Sequence, residues 1–187
     1  MKRHFARFAV AASAAVFIAV LAAAPSAALA QNEGLLEANS RTSLGYLESS
    51  TPLAGTLGQR AYAVLVFPDV TKAGFLIGGE YGNGVLFRRG QVAGYYNTAG
   101  ISYGFQAGAQ TFGYAMFFMN EGAFQALNAR EGFQIGTGPS VVVMDQGMAK
   151  SYTPETLTGD VYAFIFGQQG LMAGIGLQGT KITKLNR

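Results

Sequence analysis

The sequence lacks cysteine and tryptophan and has a single histidine, His4, among its 187 residues. Without cysteine, a disulfide-stapled scaffold is excluded. Once residues 1–30 are set aside as a leader, Cys or His metal sites and Cys-His or Ser-His-Asp nucleophiles also lack their essential residues. We therefore predict a chain that is not an enzyme, with no metal site, no cofactor and no catalytic residue.

The first 30 residues have the pattern of a secretory signal. Lys2, Arg3 and Arg7 precede the apolar run Phe8–Ala24, and the small residues of Ala28–Ala30 close the segment. This order predicts cleavage after Ala30 and an exported protein, periplasmic or peripherally associated with the envelope. The alternative is an uncleaved anchor, because the run is only slightly shorter than the ~20 residues of a membrane helix.

Charge is balanced in the remaining part, residues 31–187. Three of the 13 Lys and Arg residues lie in the leader and none of the 10 acids does, so cations and acids cancel after cleavage. A neutral domain lacks the dense cationic footprint that binds a phosphate backbone. We therefore expect no nucleic-acid partner.

Residues 31–187 are rich in glycine and in aromatic residues. All 26 glycines lie in the mature part, about one residue in six against a usual ~7%. Phenylalanine and tyrosine are spaced among valine and isoleucine there, which favours sheet over disorder. The prediction is an α+β fold: a strongly curved, mostly antiparallel, glycine-rich sheet or barrel-like core, with N-terminal helices and one short internal helix.

Residues 31–61 read as the helical part of a single domain, 31–187, and residues 62–187 as its β-rich core. Thr51 and Pro52 predict a break near Ser49–Thr51 between two short helices, with Thr51 as the N-cap. The interrupted apolar stripe consists of Leu35, Leu36, Leu44, Leu47, Leu53 and Leu57.

The predicted strands follow one another at short spacing, which requires mostly antiparallel pairing. Alternation over Ile101–Gln110 predicts one half-buried strand, and Gly82–Gly84 predicts a hairpin turn. Asn120 is expected to cap a helix over Glu121–Ala129. The other predicted strands are Ala61–Phe67, Gly74–Glu80, Val85–Arg88, Val92–Tyr96, Phe112–Met119, Gly132–Ile135, Val141–Met144, Val161–Phe166, Leu171–Leu177 and Lys181–Leu185.

The candidate site residues are cations. Lys72 follows Pro68–Val70, and Arg88 and Arg89 stand at a predicted hairpin end. Such side chains can clamp a phosphate group, arginine through its planar fork. The alternative is that they are solvated turn cations that keep a sheet edge soluble, and the same holds for the basic C-terminus with Lys181, Lys184 and Arg187.

Other chemistry has weaker support. The glycine-rich segments Gly78–Gly84 and Gly136–Ser140 lack the ending of a phosphate loop and open no helix. The acids are scattered without a spacing motif, which disfavours a hydrolytic carboxylate pair. Aromatic residues such as Tyr95, Tyr96 and Phe112 either line a lipid cavity or, as is more common, pack in the core.

Four ordered segments carry a family resemblance. Ala63–Leu86 resembles the start of the SYLF domain family, and Gly104–Gln110, Met119–Glu121 and Gly170–Gly179 are similar to its later motifs. The resemblance spans the chain from about Asn39 onward. It implies binding of phospholipid or a membrane surface, and its eukaryotic members bind phosphoinositides and in part actin.

Bacterial members of that family are exported proteins of the cell envelope, so the resemblance implies a lipid-binding module there. Lys72, Arg88 and Arg89 are then the candidate lipid-binding residues. Actin is not expected as a partner of an exported protein. The alternative is a structural or protein-interaction module with an unknown envelope protein as partner and no lipid binding.

Overall fold

The computed structural model describes residues 32–75, 77–103, 108–129, 131–153, 157–170, 177 and 179–186. The chain divides into two compact units, Met1–Leu35 and Leu36–Arg187, and the described residues lie almost entirely in the second. The predicted signal peptide lies outside the described residues.

An eight-stranded, curled half-barrel sheet forms the centre of the second unit among the described residues. Its strands follow the order β5-β8-β3-β2-β1-β4-β7-β6, and only β6 and β7 pair in parallel. The predicted α+β class with a strongly curved, mostly antiparallel sheet is confirmed. The strands are β1 Ala63–Phe75, β2 Ile77–Arg88, β3 Gln91–Tyr103, β4 Gly108–Phe118, β5 Phe133–Gln134, β6 Val141–Met144, β7 Val161–Gly170 and β8 Lys181–Lys184.

Four helices lie in the described part of the chain: α1 at 32–50, α2 at Pro52–Arg60, α3 at Glu121–Leu127 and α4 at Gln146–Ala149. The predicted break at Thr51 is confirmed, but α1 is longer than the short helix expected. The Asn120 side chain accepts a hydrogen bond from the Ala123 N–H at 2.8 Å, as predicted for the cap of α3. Helix α4 was not predicted; Asp145 caps it by accepting from the Met148 N–H at 2.7 Å.

None of the described helices is both long and apolar enough to cross a membrane.

Strand β1 is buried on both faces of the sheet, which explains its unbroken apolar run. Ala63, Leu65 and Phe67 pack into one core with Ala123 and Leu127 of α3; we call this side the α3 face. Val64 and Val66 pack into a second core, on the α1–α2 face, with Leu47, Leu53 and Leu57. Each large side chain fully buried in this way contributes about 1.5–3 kcal/mol. Leu35 departs from the predicted apolar stripe because it is exposed.

The predicted hairpin turn at Gly82–Gly84 is wrong. These residues lie within β2, and the chain reverses at the end of β1, where Phe75 pairs with Ile77. Strand β1 carries a bulge between Val66 and Asp69 opposite the glycines. A Cβ on Gly84 would lie 2.6 Å from Cδ1 of Phe67, so glycine allows close packing over the bulge here and does not form a turn.

The predicted single strand Ile101–Gln110 is also wrong. Ile101 belongs to β3 and pairs with Gly79, whereas Gln110 belongs to β4 and pairs with Lys72. Residues 104–107 lie outside the described ones, and so do residues 171–176 of the predicted strand Leu171–Leu177. The alternation does not follow burial here, because the apolar Ile101 is 68% exposed whereas the polar Gln110 is 4% exposed.

Candidate functional site

Lys72 is a buried residue within β1. It is 5% exposed and lies opposite Glu80 of β2 on one side and Gln110 of β4 on the other. Two strand positions after Val70, it shares the α3 face. It is therefore neither a turn residue nor a solvated one.

The surroundings of Lys72 form a buried polar cluster. Thr180 donates its hydroxyl hydrogen bond to Glu80, and Tyr114 donates to Oγ1 of Thr98 at 2.6 Å. Burial raises the pKa of the Tyr114 phenol; the Thr98 hydrogen bond lowers it, and the Glu80 charge raises it further. The cluster is only partly satisfied, because the Oε1 atom of Gln110 is buried without a hydrogen-bond partner. Lys72 is a residue of the domain interior.

Arg88 lies on the α3 face at the other end of β2. Its guanidinium carbon is 4.4 Å from the ring centroid of Tyr62 and 5.4 Å from that of Phe124. The Nη2 group also donates a hydrogen bond to the Tyr62 hydroxyl. Glu80, which lies opposite Lys72, is eight residues away from Arg88 along β2, about 26 Å at the usual rise per residue. The fold therefore does not bring Lys72 and Arg88 together.

Arg89 is exposed and forms the tight turn between β2 and β3 with Gly90. Both residues have positive φ, 52° for Arg89 and 76° for Gly90, which defines a two-residue hairpin turn of the primed kind. The turn projects the Arg89 side chain away from the β2 face that Arg88 occupies. Arg89 lines a surface cleft.

That cleft, which we call the arginine cleft, has a volume of about 470 Å³ between α1, α2 and the β2–β3 turn. Arg41 of α1 forms its second cationic wall. Its Nη1 group donates to the Gly90 carbonyl at 3.1 Å, and its guanidinium carbon lies 4.7 Å from the Phe87 ring centroid. Leu44, Ala61, Ala63 and Val64 also line the cleft. Two guanidiniums therefore border an apolar floor.

Two acidic side chains lie beside the arginines of the cleft. Glu37 accepts from Nε of Arg41 at 2.9 Å, which neutralises part of its charge. Glu48 lines the cleft, and burial raises the pKa of its carboxyl. Its Oε1 lies against Gly58, where a Cβ would be only 2.2 Å away. The cleft thus combines two arginines with one carboxyl that gains a proton more readily than usual.

The sequence analysis did not single out Arg41. Its i,i+4 spacing to Glu37 is the local signal for a helical ion pair, and the two side chains are 2.9 Å apart. Its approach to Gly90 depends on the packing of α1 against the sheet, and no local pattern reports such a distance. Among the described residues, no group of three or more His, Cys, Asp or Glu side chains is arranged to hold a metal ion.

The fold defines a class of protein: an α+β domain built on a curled half-barrel sheet. Residues 99–187 match the family described as Ysc84, Las17-binding protein and actin regulator, and this part of the chain belongs to that SYLF family, as three of the four motifs predicted. The motif Ala63–Leu86 precedes the matched range. No curated protein matches the chain.

Proposed function

We propose that this chain is a non-enzymatic module that binds anionic phospholipid headgroups at the surface of a bacterial envelope membrane. The observation that carries the proposal is the pairing of Arg41 and Arg89 across one cleft with an apolar floor. A guanidinium fork matches the geometry of a phosphate group, and the apolar floor suits the glycerol and upper acyl carbons next to it.

The proposal changes the set of lipid-binding residues. Lys72 is buried and Arg88 stacks on aromatic rings, so neither is offered to a ligand. Arg89 remains from the sequence prediction, and Arg41 joins it. Binding requires Arg41 to exchange its ion pair with Glu37 for a lipid phosphate, so affinity is modest and depends on several lipids per contact.

Export completes the proposal. Residues 1–30 act as a signal peptide removed after Ala30, and the mature chain has balanced charge. Attraction to the membrane therefore comes from local cations and not from a global field. Mass spectrometry of the mature protein tests this step; an intact N-terminus in the cell envelope would identify an anchor instead.

The test is co-sedimentation of the purified protein with phosphatidylglycerol vesicles at low salt. Arg89→Asn keeps the turn, since asparagine tolerates positive φ, and it should reduce the bound fraction several-fold, as should Arg41→Gln. Lys184→Gln is the control, because it removes one exposed charge on β8, outside the cleft lining. Equal binding by all four proteins would overturn the assignment of the cleft, and no binding at low salt would overturn the lipid proposal.

A second candidate function is a protein-interaction module of the envelope. The observation that favours it is an exposed apolar pair, Tyr81 on β2 and Ile101 on β3, on the α1–α2 face of the sheet. Exposed apolar patches of this kind often mark protein contacts. It predicts no vesicle binding and cross-linking to one envelope protein that Tyr81→Ser with Ile101→Ser abolishes.

A further inference from the structure

The arginine cleft carries a carboxylate as well as its two cations. Glu48 of α1 lines the same cleft as Arg41 and Arg89. It is partly exposed, and it makes no hydrogen bond or ion pair with another described residue. Burial raises the pKa of its carboxyl, and no hydrogen bond from the described part of the chain opposes that rise. Because a carboxylate only accepts hydrogen bonds, Glu48 is a partly desolvated acceptor without a donor.

The Glu48 carboxyl lies at the α2 end of the cleft. Its Oε1 atom occupies the space beside Gly58, where a Cβ would be only 2.2 Å away. Gly58 itself lines the cleft. The absence of a side chain at this position therefore makes room for the carboxyl at the cleft wall.

The cations lie at the other end of the cleft. Arg41 donates to the carbonyl of Gly90 in the β2–β3 turn, and Arg89 belongs to that turn. Arg41, Leu44 and Glu48 follow one face of α1, and all three line the cleft. Glu48 comes seven residues after Arg41, about 10 Å along the helix axis. The cleft is therefore polarised, with an apolar floor between its cationic end and its carboxylate end.

A ligand that satisfies both ends needs an anion and a hydrogen-bond donor a short distance apart. A phosphodiester matches the guanidinium fork. A primary ammonium group suits the carboxylate, because it brings three N–H donors and a positive charge, whereas a hydroxyl brings one donor and no charge. An extended phosphoethanolamine group with a hydrogen bond of about 2.8 Å at each end spans roughly the same length as the two turns of α1.

We propose that the arginine cleft is a two-ended site for an aminophospholipid headgroup, a phosphodiester that carries a primary ammonium group. Arg41 and Arg89 hold the phosphate, and Glu48 accepts from the ammonium group. The phosphate end rests on the proposed function, and the ammonium end adds to it. Glu48 is then the specificity-determining residue, because it repels a headgroup that is only negative and attracts one that brings its own cation.

The test compares vesicles of equal surface charge. Phosphatidylglycerol is mixed with the same mole fraction of either phosphatidylethanolamine or phosphatidylcholine, whose quaternary ammonium has no N–H to donate. Co-sedimentation should show about two- to fivefold tighter binding to the vesicles with phosphatidylethanolamine, the range expected for one partly exposed ion pair. Equal binding to both mixtures would overturn this inference and would leave the proposed function standing.

Variants separate the charge of the carboxyl from its position. Glu48→Gln should lose the preference for phosphatidylethanolamine and still bind phosphatidylglycerol. Gly58→Ala should reduce the preference, because its Cβ displaces the carboxyl. Glu121→Gln is the control, since it removes an exposed acid outside the cleft lining, and it should keep the preference. A preference that persists in Glu48→Gln would assign the effect to lipid packing and refute the proposal.

A soluble probe tests the headgroup without a membrane. Titration with glycerophosphoethanolamine should shift the backbone amide NMR signals of Gly45 and Gly58, which line the cleft, more than the same concentration of glycerophosphocholine does. Equal shifts with the two probes would contradict the ammonium end of the site. If no vesicle binds, phosphatidylglycerol included, the proposed function fails, and this titration still decides the inference by itself.

Discussion

Lys72 of β1 lies directly opposite Glu80 of β2, and both side chains are buried. Glu80 accepts a hydrogen bond from the Thr180 hydroxyl, and Lys72 is the positive charge that lies opposite it in register. A buried carboxylate is costly to leave without a neighbouring positive charge. The relationship makes Lys72 a structural residue even though its residue type suggested a ligand contact.

Replacing Lys72 should therefore affect folding and spare lipid binding. We expect Lys72→Met to lower the free energy of unfolding by about 2 kcal/mol, because the buried Glu80 carboxylate loses its neighbouring charge. Adding Glu80→Leu should recover much of that loss. Urea denaturation measures both, and Lys184→Met on the exposed part of β8 is the control. An unchanged stability in Lys72→Met would show that the two charges do not interact.

Gly84 should not tolerate a side chain. A Cβ there would lie 2.6 Å from both Cδ1 of Phe67 and the Val66 carbonyl oxygen, so Gly84→Ala should lower the free energy of unfolding by about 1–3 kcal/mol. The matched control is Gly79→Ala in the same strand, where the nearest atom is 3.9 Å away. Thermal unfolding compares the two, and equal melting temperatures would contradict the packing argument.

Arg88 and Arg89 are adjacent but should behave differently. Arg88→Gln loses the stacking on Tyr62 and Phe124, and its free energy of unfolding should fall by about 1 kcal/mol. Arg89→Asn should be at least as stable as the unmodified protein, because asparagine adopts positive φ more readily than arginine does. Urea denaturation and vesicle co-sedimentation together should show stability lost in one variant and lipid binding lost in the other.

Acidification should strengthen vesicle binding. Burial raises the pKa of Glu48 above its ordinary value of 4.5, so this carboxyl gains a proton before a free carboxyl does as pH falls. Its negative charge then leaves the arginine cleft, and attraction of phosphatidylglycerol to the arginines increases. Glu48→Gln should bind more strongly than the unmodified protein does at pH 7, with a flatter pH profile.

Glu121→Gln is the control for that profile, since Glu121 is an exposed acid of α3 and does not line the cleft. A pH dependence that persists unchanged in Glu48→Gln would assign the effect to another group.

Alkaline pH should destabilise the domain through its buried tyrosines. Burial raises the pKa of Tyr96 from 10.0 to about 12, so the unfolded chain loses this proton first as pH rises. The stabilisation by neutral Tyr96 is complete below about pH 10 and is lost on passing to about pH 12. Tyr96→Phe should show a shallower decline of unfolding free energy over this window. Exposed Tyr81→Phe should keep the original slope.

Several boundaries of helices and strands in this fold could be predicted from the residues at those positions. Thr51 and Pro52 set the break between α1 and α2, Asn120 set the start of α3, and apolar runs set β6 and β7. Alternation could not locate the end of β3 and the start of β4, because the pattern runs without a break from Ile101 to Gln110. Glycine near a bulge was indistinguishable from glycine in a turn.

The sequence by itself determined the α+β class, the family of residues 99–187 and the equal numbers of cations and acids in residues 31–187. Only the tertiary structure decided where the cations lie: Lys72 is buried, Arg88 stacks on Tyr62, and Arg89 lines one cleft with Arg41, which is 48 positions away in the sequence. Burial and approach between distant residues depend on how helices pack on the sheet. That packing is a property of the whole core, and no single segment encodes it.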